Sequence, residues 1–209
     1  MPKQNSEIVR KGYNKIAEKY NKQRKIYQSK PLLLKFLKHI PKNSKVLDLG
    51  CGTGIVVAKF LDRKGCKVTG IDFSNGMLKL ARKNIPNVKL IKMDIAKMKF
   101  KENSFDGAVS FYAIIHIPRK YHQKIYKNLH KILKPGGILF ANASGTKTWE
   151  ENAEDYLGVP MFWSFYHPKT TLKLIRNAGF EVTWSKILKI GGESQFWVLA
   201  KNKKQQKIK

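Results

Sequence analysis

The stretch Val46-Leu-Asp-Leu-Gly-Cys-Gly-Thr-Gly54 decides the fold, because a short apolar strand runs directly into a loop with glycine at alternate positions. Glycine adopts positive φ and has no side chain, so Gly50, Gly52 and Gly54 let a ligand approach the backbone closely. The spacing G-x-G-x-G differs from the G-x-G-x-x-G of dinucleotide-binding dehydrogenases, and Asp48 lies inside the strand just before it. An acid at this place repels a pyrophosphate and suits a ligand that carries an amino group.

Beyond this loop, strand-like and helix-like segments alternate along the chain. Short continuous apolar runs predict strands at 45–50, 67–71, 88–91, 107–112 and 137–143. Apolar residues at helical spacing predict intervening helices at 55–61, 75–83 and 119–133. Strands that alternate with helices in this way form a parallel sheet with right-handed crossovers. We therefore expect an α/β fold of the Rossmann-like, doubly wound kind, built on a mostly parallel seven-stranded sheet.

The first 40 residues predict a helical cap. Apolar residues at helical spacing run from Ser6, which can cap the helix, to about Tyr27. A second short helix begins at Pro31 and ends before Pro41. Because neither segment resembles a strand, residues 1–40 are expected to lie outside the sheet as an N-terminal lid.

The last third of the chain departs from the regular alternation. Residues 144–168 are rich in aromatic side chains and short acids, and we expect them to form a lid over the substrate. After one further helix, strands at 181–188 and 194–200 predict an antiparallel C-terminal hairpin. The tail, 201–209, is basic. No repeat or low-complexity linker interrupts the sequence, so 1–209 is expected to be a single domain.

The charge of the chain raises the question of nucleic-acid binding. Lysine and arginine number 42 and aspartate and glutamate 14, which gives a formal net charge of +28. Lysines along a surface displace counterions from phosphates. However, the lysines are spread over the whole chain, and arginine, the better residue for bidentate phosphate contacts, is scarce. We favour a lysine-rich solvated surface. One basic stripe follows a single helix face and comprises Lys120, Lys124, Lys127, Lys131 and Lys134.

Other features of the composition concern location and metals. No apolar run approaches the about 20 residues of a membrane helix, and no apolar stretch typical of a signal peptide follows the first residues. The two cysteines, Cys51 and Cys66, are not spaced as metal ligands. We expect a reduced, cytoplasmic protein without disulfides, bound metal or membrane contact.

The glycine run resembles motif I of the class I S-adenosylmethionine (SAM)-dependent methyltransferases. Asp72, in Val68-Thr-Gly-Ile-Asp-Phe-Ser74, matches the acid that holds both ribose hydroxyls of SAM in that family. Asp94 matches the acid after the third strand that reads the adenine amine. The runs 105–112 and 133–139 match the fourth strand and the turn into the fifth. The resemblance covers nearly the whole chain, and its motifs are specific in combination.

The resemblance implies SAM as the cofactor. In the family, the second tyrosine of a lid helix covers the cofactor, and Tyr20 of Tyr13-Asn-Lys-Ile-Ala-Glu-Lys-Tyr20 matches it, unless it only packs its own helix. Three alternative interpretations stay open. In these, Asp48 is a solvated acid, Asp72 caps the next helix, and the apolar residues Phe73 and Met77 belong to the core. The cofactor-binding residues expected on this basis are Tyr20, Asp48, Gly50, Cys51, Gly52, Thr53, Gly54, Asp72, Phe73, Met77, Asp94, Ile95 and Phe111.

Methyl transfer from a sulfonium is an in-line displacement, for which an enzyme chiefly aligns the reactants and excludes water. A base is needed only where the acceptor must lose a proton. His116 follows the fourth strand, where the carboxyl ends of the sheet form a cleft, and is therefore a candidate general base. Packing beside Pro118 is the alternative. Tyr112, at the end of the same strand, is the second candidate catalytic residue.

Aromatic and acidic residues set the predicted substrate lid apart. Trp163, Tyr166 and His167 are candidate substrate-binding residues, since aromatic side chains can enclose an apolar or cationic molecule. A core of the lid itself is the alternative. We hypothesise that local acids form a pocket edge that attracts an amine, although they also suit a helix N-terminus. These acids are Glu150, Glu151, Glu154 and Asp155.

A small-molecule methyltransferase is the favoured function. An RNA methyltransferase and a SAM-binding protein without activity are the alternatives. Against RNA, the chain has Ser110-Phe-Tyr-Ala113 where base-amine methyltransferases carry Asn/Asp-Pro-Pro-Tyr/Phe, and neither cysteine is placed as a nucleophile for cytosine. We expect no separate RNA-binding domain. We expect a small-molecule acceptor as the partner, and a monomer or homodimer.

Overall fold

The computed structural model describes residues 3–23, 29–190 and 192–203. Within them, the helices are α1 (Lys3–Gln23), α2 (Lys30–Leu37), α3 (Ala58–Arg63), α4 (Asn75–Asn84), α5 (His122–Ile132) and α6 (Pro168–Asn177). The strands are β1 (Lys45–Leu49), β2 (Lys67–Asp72), β3 (Lys89–Lys92), β4 (Phe105–Ser110), β5 (Leu133–Ser144), β6 (Trp149–Ala153), β7 (Met161–Phe165), β8 (Phe180–Ile190) and β9 (Glu193–Asn202). Three predicted features lie outside the described residues. They are the helix end at Tyr27, Gly191 in the turn between the two C-terminal strands, and residues 204–209 of the basic tail.

In the described part of the chain, seven strands form one sheet in the order β3-β2-β1-β4-β5-β9-β8. Strands β1 to β5 pair in parallel. Strand β9 runs antiparallel to β5, and β8 pairs with β9 as an antiparallel hairpin at the edge of the sheet. The predicted fold class, a Rossmann-like, mostly parallel sheet with a C-terminal antiparallel hairpin, is confirmed.

The sheet is buried because helices cover both of its faces. On one face, Leu47 belongs to a core cluster with Tyr126 of α5. On the other face, Val46 packs in a cluster with Phe36 of α2. Every residue of β1 after Lys45 is buried, since its side chains alternate between the two cores. This double burial explains why the parallel strands appear in the sequence as continuous apolar runs.

One predicted helix starts later than expected. The helix predicted at 55–61 is α3, which begins only at Ala58. Three β-branched residues, Ile55 to Val57, follow the glycine loop, and their restricted χ1 angles disfavour helix. The chain instead makes turns there, one of them closed by the Lys59 N–H donating to the Gly54 carbonyl at 2.9 Å.

The fifth helix and the strand after it also differ in their bounds. Residues 119–121 form a 3₁₀ turn, in which the Tyr121 N–H donates to the Pro118 carbonyl, and the α-helix starts only at His122. Strand β5 begins at Leu133, four residues before the predicted start. A register shift against β4 accommodates the extra residues, and Gly136 has a φ of +75°.

Residues 144–168, predicted as a substrate lid, contain an antiparallel pair of strands, β6 and β7, which we call the ribbon. The alternative that its acids mark a helix N-terminus is wrong, because Glu150 and Glu151 lie in β6. Glu150 accepts a hydrogen bond from Ser164 Oγ at 2.5 Å, and Glu151 accepts one from the Trp149 indole at 2.9 Å. Asp155 accepts from the Gly158 N–H in the turn that follows. Glu150 also pairs with Arg119 at 3.4 Å, so three of the four acids make polar contacts within the protein.

Helix α1 and the ribbon pack on each other at one end of the sheet. Val9 and Ile16 of α1 share a core cluster with Met161 and Phe162 of β7. A Cβ on Gly12 would lie 3.0 Å from the terminal methyl of Met161, so the helix and strand approach closely here. Among the described residues, no helix is both long and apolar enough to cross a bilayer.

Candidate functional site

A cleft lies at the carboxyl ends of β1, β2 and β4, beside α1. It consists of two adjoining pockets that are both partly open to solvent. All of the residues predicted to bind a cofactor line one pocket or the other. The residues common to both pockets are Tyr20, Gly50, Gly52, Phe111 and Tyr112.

The glycine loop gives the cleft its floor. The N–H groups of Gly50 and Cys51 both donate to the carbonyl of Ile71, at 2.8 and 2.9 Å, which ties the loop to the end of β2. Gly50, Gly52 and Gly54 have φ values of +68°, +54° and +78°, a region that L side chains seldom adopt. A Cβ on Gly50 would lie 2.3 Å from Cβ of Ala113. Both the backbone angle and the space therefore require glycine at position 50.

Gly50→Ala is expected to lower the free energy of unfolding by about 2–4 kcal/mol, the sum of the left-handed backbone and the overpacking. Gly158→Ala is the matched control, since Gly158 has a φ of +92° and no described atom within 4 Å of its Cβ position. Urea unfolding followed by circular dichroism measures both. If Gly50→Ala costs no more than Gly158→Ala, the close approach of Ala113 is wrong.

Asp72 joins the glycine loop to the start of α4. Its Oδ2 accepts the Gly52 N–H and its Oδ1 accepts the Ser74 N–H, both at 2.9 Å. Burial raises the pKa of this carboxyl above its ordinary value, against the effect of the backbone donors. The interpretation of Asp72 as the helix cap is wrong, since Ser74 is the N-cap and its Oγ accepts the Met77 N–H. The carboxylate retains lone pairs that a diol can use.

Asp48 is a buried acid with one carboxylate oxygen unsatisfied. Its side chain is 1% exposed, and Oδ2 has no hydrogen-bond partner among the described residues. Burial, and to a lesser extent the nearby Asp72, raise its pKa from 3.8 to about 8, against the opposing effect of a backbone N–H from Ala58. The interpretation of Asp48 as a solvated acid is therefore wrong. A buried carboxylate without a partner is costly, so this pocket suits a ligand with a positively charged donor.

Asp94 lies at the far end of the cleft from Asp48. Its Oδ1 accepts the Ala96 N–H at 2.9 Å and caps the short 3₁₀ helix that begins at Ile95. Phe73 and Met77 line this end of the cleft. Met77 also packs against α1 in a small core cluster, so the core and cleft interpretations both hold for it. A flat ligand group with polar edges can therefore contact both the Asp94 carboxylate and the apolar wall formed by Phe73 and Met77.

Two predicted cofactor residues make structural contacts as well. The Cys51 thiol faces β2, since a Cβ on Gly70 would lie 2.9 Å from its sulfur. Burial, followed by the charges of Asp48 and Asp72, raises the pKa of this thiol well above its ordinary value. Thr53 is buried, and its carbonyl accepts a hydrogen bond from the Asn84 side chain at 2.8 Å.

Helix α1 is held over the cleft by a polar contact that the sequence did not reveal. Asn14 Oδ1 accepts both the Ser74 hydroxyl and the Gly76 N–H, at 2.8 and 2.9 Å. This contact docks α1 on the first turn of α4 and brings Tyr20 above the glycine loop. A Cβ on Gly52 would lie 4.0 Å from Cε1 of Tyr20. No sequence signal could have revealed this contact, because the neighbours of Asn14 on the helix surface include the charged residues Arg10, Lys11 and Glu18.

Tyr13, which sequence reasoning did not select as a site residue, lines the cleft and contacts the candidate base. Its hydroxyl lies 2.7 Å from Nε2 of His116, and Nδ1 of His116 lies 2.8 Å from the Phe162 carbonyl. His116 is 5% exposed and lines the same pocket. Tyr13 and Tyr20 are seven residues apart, and this spacing places them on one helix face.

Tyr112, the second candidate catalytic residue, lies two residues after the end of β4 and has a φ of +61°, an outlier for a bulky residue. Its ring lines both pockets and packs edge-on against Trp197 at 5.8 Å. Phe111 also packs edge-on against Trp197, at 4.6 Å. The strained turn thus places two consecutive aromatic residues at the join of the pockets.

The contacts of Trp163, Tyr166 and His167, the predicted substrate-binding residues, are with other side chains and backbone of the protein. Trp163 packs against the His116 ring at 4.3 Å. Tyr166 packs edge-on against His122. His167 is exposed, and its Nδ1 accepts the Lys169 N–H as the N-cap of α6. The predicted substrate role gains no support from these contacts. Among the described residues, no group of three histidine, cysteine or acidic side chains could hold a metal ion.

Comparison with known proteins identifies the class of this domain. Residues 46–137 match the family model described as a methyltransferase domain. Demethylmenaquinone methyltransferases of Staphylococcus aureus are 32% identical over 148 residues, covering 66% of this chain and 60% of theirs. The chain thus spans about 60% of the length of these relatives.

Two solved structures share the fold. A SAM-dependent methyltransferase from Methanosarcina mazei superposes with a TM-score of 0.70 at 21% identity, covering 79% of this chain and 95% of that one. The 1,6-didemethyltoxoflavin-N1-methyltransferase of Burkholderia thailandensis, with 1,6-didemethyltoxoflavin and S-adenosylhomocysteine bound, superposes with a TM-score of 0.78 at 18% identity, covering 98% and 91%. The family model identifies residues 46–137 as a methyltransferase domain, in agreement with the resemblance of the ordered motifs to class I SAM-dependent methyltransferases, and the two solved structures show that the fold is shared.

Proposed function

We propose that this protein transfers the methyl group of SAM to a small, planar aromatic molecule. The observation that carries the proposal is the pair of buried acids at the two sides of the glycine loop. Asp48 offers an unsatisfied carboxylate oxygen and Asp72 a carboxylate already oriented by two N–H groups. A ligand with an ammonium group and a ribose diol complements both.

The residues fit SAM in order along the cleft. Asp48 would bind the ammonium group, Asp72 the ribose hydroxyls, and Asp94 with Ile95 the adenine, while Tyr20 covers the ligand from α1. SAM supplies an electrophilic methyl group on a positively charged sulfur. The protein's part is to hold the acceptor in line with that methyl group and to exclude water.

The acceptor end of the cleft favours a small aromatic molecule. Tyr13, Phe111, Tyr112 and Ile117 line it, and the packing of α1 on the ribbon covers this end of the sheet. Aromatic rings prefer to pack edge-on or offset against such walls. Two of the compared proteins are named for ring substrates, demethylmenaquinone and 1,6-didemethyltoxoflavin, which supports the same class of acceptor.

The test uses SAM with a radiolabelled methyl group and measures the label transferred to two acceptors, reduced demethylmenaquinone with a short side chain and a small-molecule extract of cells. An RNA fraction is tested in parallel, with and without ribonuclease. We expect label in the small-molecule fraction. Label that appears only in ribonuclease-sensitive material would instead mean that the acceptor is RNA and that the net charge of +28 contributes to function. SAM binding by calorimetry with no transfer to any fraction would favour a non-catalytic SAM-binding protein.

A further inference from the structure

Three polar groups from distant parts of the chain form a continuous hydrogen-bonded row at the acceptor end of the cleft. Tyr13 comes from α1, His116 from the segment after β4, and Phe162 from β7. The hydroxyl-to-Nε2 distance is 2.7 Å and the Nδ1-to-carbonyl distance is 2.8 Å. Tyr13 and His116 both line the pocket, whereas the Phe162 side chain is 2% exposed.

The row has a direction, because a carbonyl oxygen can only accept. Nδ1 of His116 must therefore carry a hydrogen and donate it to the Phe162 carbonyl. In a neutral imidazole the other nitrogen then has the lone pair, so Nε2 accepts the hydrogen of the Tyr13 hydroxyl. The Nε2 lone pair of His116 is thus engaged by Tyr13. A phenolic oxygen that donates its hydrogen can accept one in turn, which makes the Tyr13 oxygen the basic end of the row.

Two neighbours can stabilise a positive charge on the buried imidazole of His116. The Trp163 ring lies 4.3 Å from the imidazole ring, with 38° between their planes. A cation against an indole face is stabilised by the ring quadrupole. The Phe162 carbonyl continues to accept from Nδ1 in the imidazolium. The contact with Trp163 therefore helps to stabilise the protonated imidazole of His116.

We propose that Tyr13 is the proton acceptor for the substrate and that His116 acts through it, an inference that rests on the proposed function. As the acceptor atom bonds to the methyl carbon, its own X–H bond breaks and the hydrogen passes to Tyr13 Oη. The Tyr13 hydroxyl hydrogen passes to His116 Nε2 in the same step. The electron pair of the methyl–sulfur bond stays on sulfur, and the positive charge ends on His116.

This arrangement defines the acceptor more narrowly. A proton relay is useful only where the acceptor atom carries a hydrogen that must leave for methylation to occur, as in a phenol, a hydroquinone or a ring N–H. Because Tyr13 lies on α1, the relay is complete only when this helix is docked over the cleft. His116 is then a positioning and proton-holding residue, and Tyr13 is the catalytic one.

The first test measures the row without any methyl transfer. In protein labelled with ¹⁵N-histidine, two-bond proton–nitrogen correlations report the tautomer of each imidazole. We expect His116 to be protonated on Nδ1, and the Nε2 resonance to move in Tyr13→Phe. A His116 ring protonated on Nε2, or one whose Nε2 signal is the same in Tyr13→Phe, overturns the inference whatever the protein methylates.

The second test is kinetic and uses 1,4-naphthohydroquinone and a ring-fluorinated analogue, whose acceptor hydroxyls are more acidic. Tyr13→Phe is expected to lower kcat about 100-fold, and His116→Gln at least 10-fold, with the Kd for SAM changed less than twofold. The loss should shrink with the fluorinated acceptor, because less help with the proton is needed. Equal losses with both acceptors would mean that Tyr13 only shapes the pocket, and would overturn the relay.

Tyr126→Phe is the matched control. Tyr126 belongs to α5, and its hydroxyl is buried in the core and has no hydrogen-bond partner among the described residues. Like Tyr13→Phe, this variant loses one phenolic oxygen, but from a residue outside the cleft. Its kcat should therefore stay within twofold of that of the unaltered protein. If the unaltered protein transfers no methyl group to either acceptor, the proposed acceptor is wrong, and the histidine spectra still decide whether the row exists.

Discussion

Asp48→Asn is expected to weaken SAM binding about 10- to 100-fold and, at the same time, to stabilise the ligand-free protein near pH 8. The binding loss follows from removal of a charge-assisted hydrogen bond to the ammonium group. The gain in stability follows from removal of a buried carboxylate that has an unsatisfied oxygen. The two effects have opposite signs because the Asp48 carboxylate stabilises bound SAM but destabilises the folded protein when no SAM is bound.

The pH dependence of this effect follows from the pKa of Asp48, which burial raises from 3.8 to about 8. Between these values the unfolded chain has an ionised Asp48 while the folded protein keeps it protonated. The folded state then binds one more proton, so the free energy of unfolding falls as pH rises through this range. The full loss is on the order of 5 kcal/mol. Asp48→Asn removes this dependence.

Urea unfolding at pH 5 and pH 8, with titration calorimetry for SAM at pH 8, measures both effects. The stability of the unaltered protein relative to Asp48→Asn should decline from pH 5 to pH 8. A constant difference in stability would show that Asp48 ionises normally in the fold. An unchanged Kd for SAM would remove Asp48 from the cofactor site.

Asp72→Ala is expected to weaken SAM binding at least 100-fold, the second large effect. The change removes the predicted contact with the ribose diol and also leaves the N–H groups of Gly52 and Ser74 without their acceptor. Each buried donor left unsatisfied costs about 1–3 kcal/mol, so the glycine loop should lose its fixed position as well. The Kd is measured by calorimetry with SAM and S-adenosylhomocysteine.

A sugar-modified ligand separates the two causes. The unaltered protein should bind the 2′,3′-dideoxy analogue of S-adenosylhomocysteine more weakly than S-adenosylhomocysteine, whereas Asp72→Ala should bind both alike. If Asp72→Ala still distinguishes them, another group reads the ribose. Asp106→Ala is the control acid, since Asp106 accepts the Lys45 N–H and pairs with Lys134 at the start of β4. It should leave both affinities unchanged.

Much of the fold could be predicted from the sequence because parallel strands buried on both faces appear as continuous apolar runs. The glycine loop and the acids at strand ends could be selected for a related reason. The carboxyl ends of parallel strands meet at one edge of the sheet, so Asp48, Asp72 and Asp94 had to lie near the same cleft. Their burial and hydrogen bonds depend on neighbouring backbone and needed the structure.

The acceptor end could not be predicted in the same way. Tyr13 and His116 are 103 positions apart, and their contact depends on how α1 docks through Asn14 and Met161. The ribbon has no sequence period that distinguishes it from a helix or a loop. Its acids therefore suggested a helix start, and its aromatic residues suggested a substrate wall that their contacts do not support.

The ribbon has a consequence for how such a protein can change. The chain leaves the main sheet at the end of β5 and returns to the core with α6, so residues 145–167 add no strand to that sheet. The two residues proposed to hold the cofactor, Asp48 near the end of β1 and Asp72 at the end of β2, belong to the main sheet and not to this insertion. Exchanging the insertion for that of a relative is therefore expected to change the Phe162 carbonyl contact, and with it the position of His116, while the proposed cofactor residues keep theirs.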